Sequence, residues 1–417
     1  MVLGNSFAQQ TPAAKQTKAF SIEGATAHLG DGTIIENSLI MFNDGKITFV
    51  GSAKMRIARL GTIINAKGKH VYPGFIAANT TLGLGEIDAV DVTIDEKEMG
   101  MMKPHIRSLI AYNAESKVVE SMRPNGVFMG QITPRGGNIS GSSTVVQFDA
   151  WNWEDAAMKI DEGIHANWPN TISRGRFWLG EGSSPNKRYP ANIQTIVDYL
   201  NAAKDYYKGA TSPKNLEFEA LRGLFDGSKK LYVHTHGEKE ITDAVHFAKT
   251  NGIKHLVIVG GGKAYKVADL LVKNKIPVIL DRSHKVPGSD DDDYDLPYRL
   301  AKLLVDKGVV VAIGMAGGME RMNTRNLPFY AGTFAAHGID KEEALKLITS
   351  NPAIILGVDN LVGTLTVGKD ATLFISKGDA LDMRGNILTD AFIQGRKISL
   401  ESHQTKLAKR YSNKYKK

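Results

Sequence analysis

An α/β fold flanked by β-rich chain ends is predicted by three observations. The middle of the chain alternates short apolar runs with helix-length spacers, the pattern of parallel βα units. That middle is bracketed by β-patterned segments, residues 18–70 and 355–400. Between the first bracket and the middle lies Val71-Tyr72-Pro73-Gly74-Phe75-Ile76-Ala77-Ala78-Asn79-Thr80-Thr81-Leu82-Gly83. From Tyr72 to Ala78 it is apolar or small without alternation, as in a strand covered on both faces. It ends in polar residues, as at a mouth. In a strand residues i and i+2 share a face, so Asn79 and Thr81 are expected to point the same way.

The 417 residues suffice for a large α/β unit plus a smaller accessory one, and 42% hydrophobic content is that of a globular chain. No apolar run is long enough to span a bilayer. The absence of cysteine excludes disulfides, thiolate metal sites and a cysteine nucleophile. Lys and Arg number 52 against 44 Asp and Glu, a net charge of +8. Part of the excess sits in a basic tail, residues 401–417, with Lys406, Lys409, Arg410, Lys414, Lys416 and Lys417. No basic face interleaved with aromatics occurs elsewhere, so a nucleic-acid partner is not predicted. At the other end, residues 1–17 read as a disordered leader or the remnant of a secretory signal. Asn5-Ser6-Phe7-Ala8 has a small residue at the cleavage position, which favours an exported protein, periplasmic or extracellular.

Taken in order, Phe20-Ser21-Ile22, Thr26-Ala27-His28-Leu29, Ser38 to Phe42 and Ile47 to Gly51 are strands. Asp44-Gly45 is the favoured pair for the hairpin turn between the last two. Gly126 to Ile132 and Ser143 to Phe148 are strand candidates. Between them Pro134-Arg135-Gly136-Gly137-Asn138-Ile139-Ser140-Gly141 is a loop whose backbone N–H groups are suited to an anionic substrate group, with Arg135 assisting. Ala157 to Ile160 is a candidate fourth strand of the middle. Leu231-Tyr232-Val233-His234-Thr235-His236-Gly237 is the fifth, His255 to Val259 the sixth, Pro277 to Leu280 the seventh and Val309 to Ile313 the eighth.

The frame Pro-Gly-hydrophobic-hydrophobic at residues 73–76, the Val-His-Thr-His-Gly strand at 233–237 and Arg325-Asn326-Leu327-Pro328-Phe329 occur in the order seen in the amidohydrolase superfamily. So does Gly363 to Ile375, with its Gly-Lys-Asp-Ala segment. The chain resembles the imidazolonepropionase-like branch of that superfamily over roughly residues 18 to 400. The resemblance implies a TIM (β/α)8 barrel at 71–354, with a small β-sandwich formed from both chain ends, 18–70 and 355–400.

It also implies a metal-dependent hydrolase of non-peptide C–N bonds, acting on a cyclic amide or small amide, with a divalent metal such as zinc. In the family two strand-one His, a strand-four Lys or Glu and His on strands five and six hold the ion, and a strand-eight Asp moves the proton. Here Asn79 and Thr81 stand at the strand-one His positions, neutral oxygen donors poorly suited to a transition metal. The strand-four position is assigned to Lys159 and the strand-five position to His234. The strand-six position near Val259 and Gly260 has no His, and no Asp lies between Asp306 and Asp340. The implied metal ligands thus reduce to His234 and Lys159. Glu320 is the nearest carboxylate to the missing Asp and stands as substitute base, with His236 as a second catalytic candidate. Asn79, Thr81, Arg135 and Arg325 are candidates for substrate binding. A replacement metal set would be His234 and His236 with His284, and the acidic run Asp290 to Asp293 with Asp295 is a further cation or helix-cap candidate.

Two functional readings follow. One is a hydrolase with an impaired or altered metal site. The other is a non-catalytic amidohydrolase-like binding or scaffold subunit, with a small-molecule amide ligand and either a homo-oligomer or an active paralogue as partner.

Overall fold

The computed structural model of the chain describes residues 11–173, 175, 182–209 and 212–416. The signal-like Asn5 to Ala8 lies outside them. The centre is an eight-stranded sheet, with β1 Phe75–Thr80, β2 Val127–Ile132, β3 Ile139–Gln147, β4 Ala157–Asn167, β5 Lys230–Thr235, β6 Leu256–Gly260, β7 Val278–Leu280 and β8 Val311–Ile313 in sequential order. A parallel bridge between Ala78 and Gly314 joins the first strand to the last. The Met315 N–H donates to the Ala78 carbonyl at 3.0 Å. Strands β1, β2 and β3 are wholly buried, which is why β1 carries no alternation, and β4 is buried only in its second half.

One strand runs against the all-parallel (β/α)8 order that the resemblance implies. β3 is antiparallel to both β2 and β4, whereas β1–β2 and β4 through β8 are parallel pairs. The cause is connection length. Residues 133–138 and 148–156 are all that separate β2 from β3 and β3 from β4. A parallel return needs a crossover of about a dozen residues or more, so shorter links fold back as hairpins. β3 therefore begins at Ile139, inside what the sequence presents as a loop. β4 runs well past Ile160, to Asn167.

Strands from both ends of the chain share one flanking sheet. Its order is Arg396–Lys397, Leu388–Ile393, Leu373–Ser376, His70–Pro73, Thr26–His28 and Ile34–Ile35. A four-stranded sheet packs on it through Ile22, Ile40, Phe42, Val71, Ile375 and Phe392. Asp44 and Gly45 both have positive φ, as a two-residue primed hairpin turn requires. Gly74 passes the chain from the flanking sheet into β1. A Cβ there would meet Phe128 at 2.7 Å and Thr372 at 2.9 Å, so only glycine fits.

Residues 11–16 and the described part of the basic tail make contacts or helix that the sequence does not suggest. Residues 11–16 are pinned, with the Ala13 N–H on Asp149 Oδ2 at 2.9 Å and the Gly45 N–H on Gln16 Oε1 at 2.8 Å. The basic tail forms a helix, His403–Tyr415, started by a Ser402/Thr405 capping box and burying none of its residues. No helix among the described residues is long and apolar enough to cross a membrane.

Candidate active site at the barrel mouth

Asn79 does not continue the pleat of β1. Its φ is 51°, a left-handed conformation that Asn tolerates better than most residues, and the β1–β2 register slips between Ala77 and Thr80. The shared face expected of Asn79 and Thr81 is therefore broken, yet both stay buried and reach one cluster. Its hub is Arg135. One η1 N–H donates to Asn79 Oδ1 at 2.7 Å; η2 donates to the Asn79 carbonyl at 3.1 Å and to Glu320 Oε1 at 3.1 Å. Glu320 also accepts from the Thr81 hydroxyl and from the Gly317 N–H at 3.2 Å. The guanidinium is 16% exposed and the carboxylate 13%. Arg135 reaches this place because its loop is short and is bridged to the segment after β1. Its own N–H donates to the Glu96 carbonyl at 2.7 Å.

That segment, residues 84–112, is strapped to the mouth by Arg321. Its η1 N–H groups meet Glu96 Oε2 at 2.6 Å and Thr81 Oγ1 at 3.2 Å, and its η2 group meets Asp88. Arg321→Ala is expected to raise the rate of limited proteolysis within residues 87–101 roughly tenfold, the loss of about 1.4 kcal/mol of local closure. An unchanged cleavage rate would show that the strap is held by its backbone alone.

Across the mouth His234, from β5, bonds through Nε2 to Nδ1 of His165, from β4, at 2.8 Å. His165 Nε2 meets the Ser143 hydroxyl at 2.8 Å. Ser143 donates in turn to Glu162 Oε1 at 2.6 Å. Glu162 is fully enclosed and also accepts from Gln131 Nε2 at 2.6 Å and the Tyr232 hydroxyl at 2.7 Å. Tyr232 stacks on His165 at 4.6 Å and passes so close to Gly163 that a Cβ would lie 2.3 Å from the ring.

Burial pulls the His234 imidazole down to about 3, and the Arg135 charge adds to the effect while Asp281 opposes it. Burial, then His234, holds His165 well below the ordinary range. Burial pushes the Glu162 carboxyl up, against the hydrogen bonds from Ser143, Tyr232 and Gln131. For the two His the sign is clear. Below pH 6.5 the unfolded chain takes up protons that the folded chain refuses, down to about 3 at His234. Stability is therefore full above pH 6.5 and falls with acidification, by about 1.4 kcal/mol per pH unit for each neutral imidazole. Chemical denaturation from pH 7 to 4 is expected to show this slope, and His234→Gln to reduce it by about one proton. A flat profile would contradict the burial described.

Several residues lie elsewhere than the sequence suggests. Lys159 is at the opposite end of β4 from His234, where Nζ donates to the carbonyls of Leu356 at 3.2 Å and Gly357 at 3.1 Å. It caps a helix C-terminus, with Lys230 beside it. The strand-four side chain at the mouth is His165. His236 follows the end of β5 at the rim, with its side chain 62% exposed and 3.7 Å from Asp281. His284 is drawn away to the Thr333 hydroxyl at 2.7 Å, so the His234, His236 and His284 set does not form. Arg325 presents its carbonyl to Asn125, ahead of β2, and its side chain makes no polar contact among the described residues. The acidic run is spent on pairs, Asp292 with Lys263 and Asp293 and Asp295 with Arg299, rather than on a shared cation.

Among the described residues no group of three or more His, Asp or Glu side chains is placed to hold a metal ion. The donors at the mouth are already committed, His234 Nε2 to His165, and Asn79 and Glu320 to a guanidinium. The residues present do not fit a zinc ion. Beside the mouth opens a cleft of about 1040 Å³, lined by His236, Lys263, Lys285, Val286, Asp292 and Leu300 among others.

Residues 216–400 match the amidohydrolase family. An amidohydrolase from Thermotoga maritima superposes with a TM-score of 0.77 at 22% identity, covering 91% of this chain and 99% of that one. The fold is that of the amidohydrolases. A 5'-deoxyadenosine deaminase of Methanobrevibacter smithii is 23% identical over 371 residues, 82% of this chain and 80% of its own length. An adenosine deaminase from Xanthomonas campestris with bound zinc has a TM-score of 0.55 at 16% identity, covering 94% and 96%. The residues missed by sequence reasoning are His165, Glu162, Ser143 and Gln131. For His165 a signal existed: it lies two residues from Gly163 and from Asn167, in strand alternation leading to the mouth.

Proposed function

We propose that this amidohydrolase-type chain binds a small amide or cyclic amide at the barrel mouth without a transition metal, as a relative that has given up metal-dependent C–N hydrolysis. The observation that carries the reading is the Arg135 guanidinium, held by Asn79 and Glu320 among the residues that would otherwise ligate an ion. A guanidinium is a permanent cation with directed N–H groups. It can hold a carbonyl or carboxylate oxygen, but it cannot lower the pKa of a water to make hydroxide as a bound metal does. The η2 group is fully used, whereas Nε–H and one η1 N–H make no hydrogen bond among the described residues. Glu320, tied to Arg135, Thr81 and Gly317, serves as the counter-charge rather than as the base.

The test is a calorimetric titration of the purified chain with a panel of cyclic amides and N-acyl amino acids, before and after dialysis against a chelator. Binding unchanged by chelation supports the reading. Chelator-sensitive binding, or turnover restored by zinc, would overturn it. A scaffold role beside a partner subunit is the second reading. It is favoured by apolar side chains exposed on segments that follow barrel strands, Val92 at 90% and Met99 at 94% after β1, with Val286 and Tyr294 after β7. Association of the pure protein in sedimentation velocity, reduced by Val92→Glu with Met99→Glu, would support it; a monomer at high concentration would count against self-association.

A further inference from the structure

We propose that Glu162, Ser143 and His165 form a buried positioning relay that fixes His234 as its Nε2–H tautomer and presents an unprotonated Nδ1 to the mouth. Three donors, the Ser143 hydroxyl, the Gln131 amide and the Tyr232 hydroxyl, converge on the two oxygens of Glu162 within 2.7 Å. A carboxyl group receiving all three is an acceptor at both oxygens. Ser143 has a single hydroxyl proton, and it is spent on Glu162 at 2.6 Å. Toward His165 the same oxygen must accept, so the 2.8 Å contact places a proton on His165 Nε2. A neutral imidazole with Nε2–H has its lone pair on Nδ1. The 2.8 Å contact from His165 Nδ1 to His234 Nε2 then requires the proton on His234 Nε2, which leaves Nδ1 of His234 as the acceptor. Nδ1 makes no hydrogen bond among the described residues.

The chain of proton positions is set from the inside of the barrel outward, and no atom of it depends on a ligand. Its members come from four adjacent strands: Gln131 from β2, Ser143 from β3, Glu162 and His165 from β4, and Tyr232 and His234 from β5. The reversal of β3 brings Ser143 opposite Gly163. Asp161, at φ 48°, breaks the β4 pleat where the β3–β4 register slips between Ser143 and Val145, and Glu162 and His165 reach the same hydroxyl. The packing of Tyr232 over Gly163 and against His165 keeps the second ring from rotating.

The consequence for recognition rests on the amide reading given above. An amide offers a carbonyl oxygen and an N–H side by side. The uncommitted N–H groups of Arg135 complement the first, and the His234 Nδ1 lone pair complements the second. A tertiary amide, with no N–H, would leave that lone pair unsatisfied in a buried site. Ligands with a secondary amide are thus preferred over their N-methylated counterparts.

The test is long-range ¹H–¹⁵N correlation on the full chain labelled with [¹⁵N]histidine at pH 7, with His234→Gln and His165→Gln used to assign the two rings. The expected spectrum has a pyridine-type Nδ1 and a pyrrole-type Nε2 on His234. Ser143→Ala, which removes the acceptor of His165 Nε2–H, is expected to shift both rings toward averaged tautomers. Ser143→Thr, which keeps the hydroxyl, is expected to restore the wild-type pattern. A protonated Nδ1 on wild-type His234, or rings indifferent to Ser143→Ala in a folded variant, would overturn the relay. These readouts need no ligand, so they stand apart from the amide reading. Equal affinity for a secondary amide and its N-methyl form would overturn the ligand preference even if the tautomers are as stated.

Discussion

Asp149→Ala is expected to destabilise the protein by about 3–5 kcal/mol, the range for removing one partner from a buried ion pair. Asp149 follows β3 and is 1% exposed. It accepts from Arg123 at 2.9 Å, from Arg396 at 2.9 Å and from the Ala13 N–H at 2.9 Å. Those donors come from the turn ahead of β2, from the last strand of the flanking sheet and from the N-terminal segment. Burial already pulls the Arg123 guanidinium down, and Asp149 is the largest influence restoring it. Removing the carboxylate leaves two guanidinium groups at one buried point, with Glu120 as the nearest remaining carboxylate acting on Arg123. The lost attachment of residues 11–16 adds to the cost. Asp149→Asn keeps the acceptor oxygen and is expected to fall between Ala and wild type. A shift of less than about 1 kcal/mol in chemical denaturation for Asp149→Ala would mean that water compensates the cluster.

Arg135→Ala is expected to cost about 3 kcal/mol and to be largely rescued by a second change, Glu320→Gln. The single substitution strands Glu320 with Thr81 and Gly317 as its remaining donors and empties the side of the mouth next to Asn79. It also removes a charge that depresses His234, so the His234 proton uptake described above should move toward a higher pH. A double-mutant cycle with a coupling below about 0.5 kcal/mol would contradict the view that Arg135 and Glu320 are one unit. The same cluster sets an expectation for ligand restoration. Asn79→His, Thr81→His and Gly318→Asp introduced together should not produce hydrolysis, because Arg135 still fills the mouth and strand six still lacks a His.

Much of the barrel was legible because its strands speak through burial. The uninterrupted apolar run of β1 and the short runs of β5 through β8 could only be strands covered on both faces. The Asp44-Gly45 hairpin and the sheet shared by residues 70–73 and 373–376 were equally readable. The site was legible in part. The Asn79, Thr81, Glu320 and Arg135 side chains do meet, and His234 does face them across the barrel. What stayed hidden had local causes. The left-handed turn at Asn79 and the break at Asp161 change which side chains share a face, and no periodicity argument anticipates a broken pleat. Ending β4 at Ile160 is an error, since the strand runs on to Asn167 and its Glu162 and His165 line a buried cluster. That error carried Lys159 into the site and left His165 out of it. The reversal of β3 was open to inference from its short links, which outweigh any family expectation of parallel order.

Arg135 is proposed to fill, with its guanidinium, the place that a metal ion would take in a metal-dependent relative. Elemental analysis of the purified protein, equilibrated with zinc and then desalted, tests it most directly. Well under one transition-metal ion per chain is predicted for the wild type. One or two zinc per chain, removable with loss of an amidase activity, would contradict it.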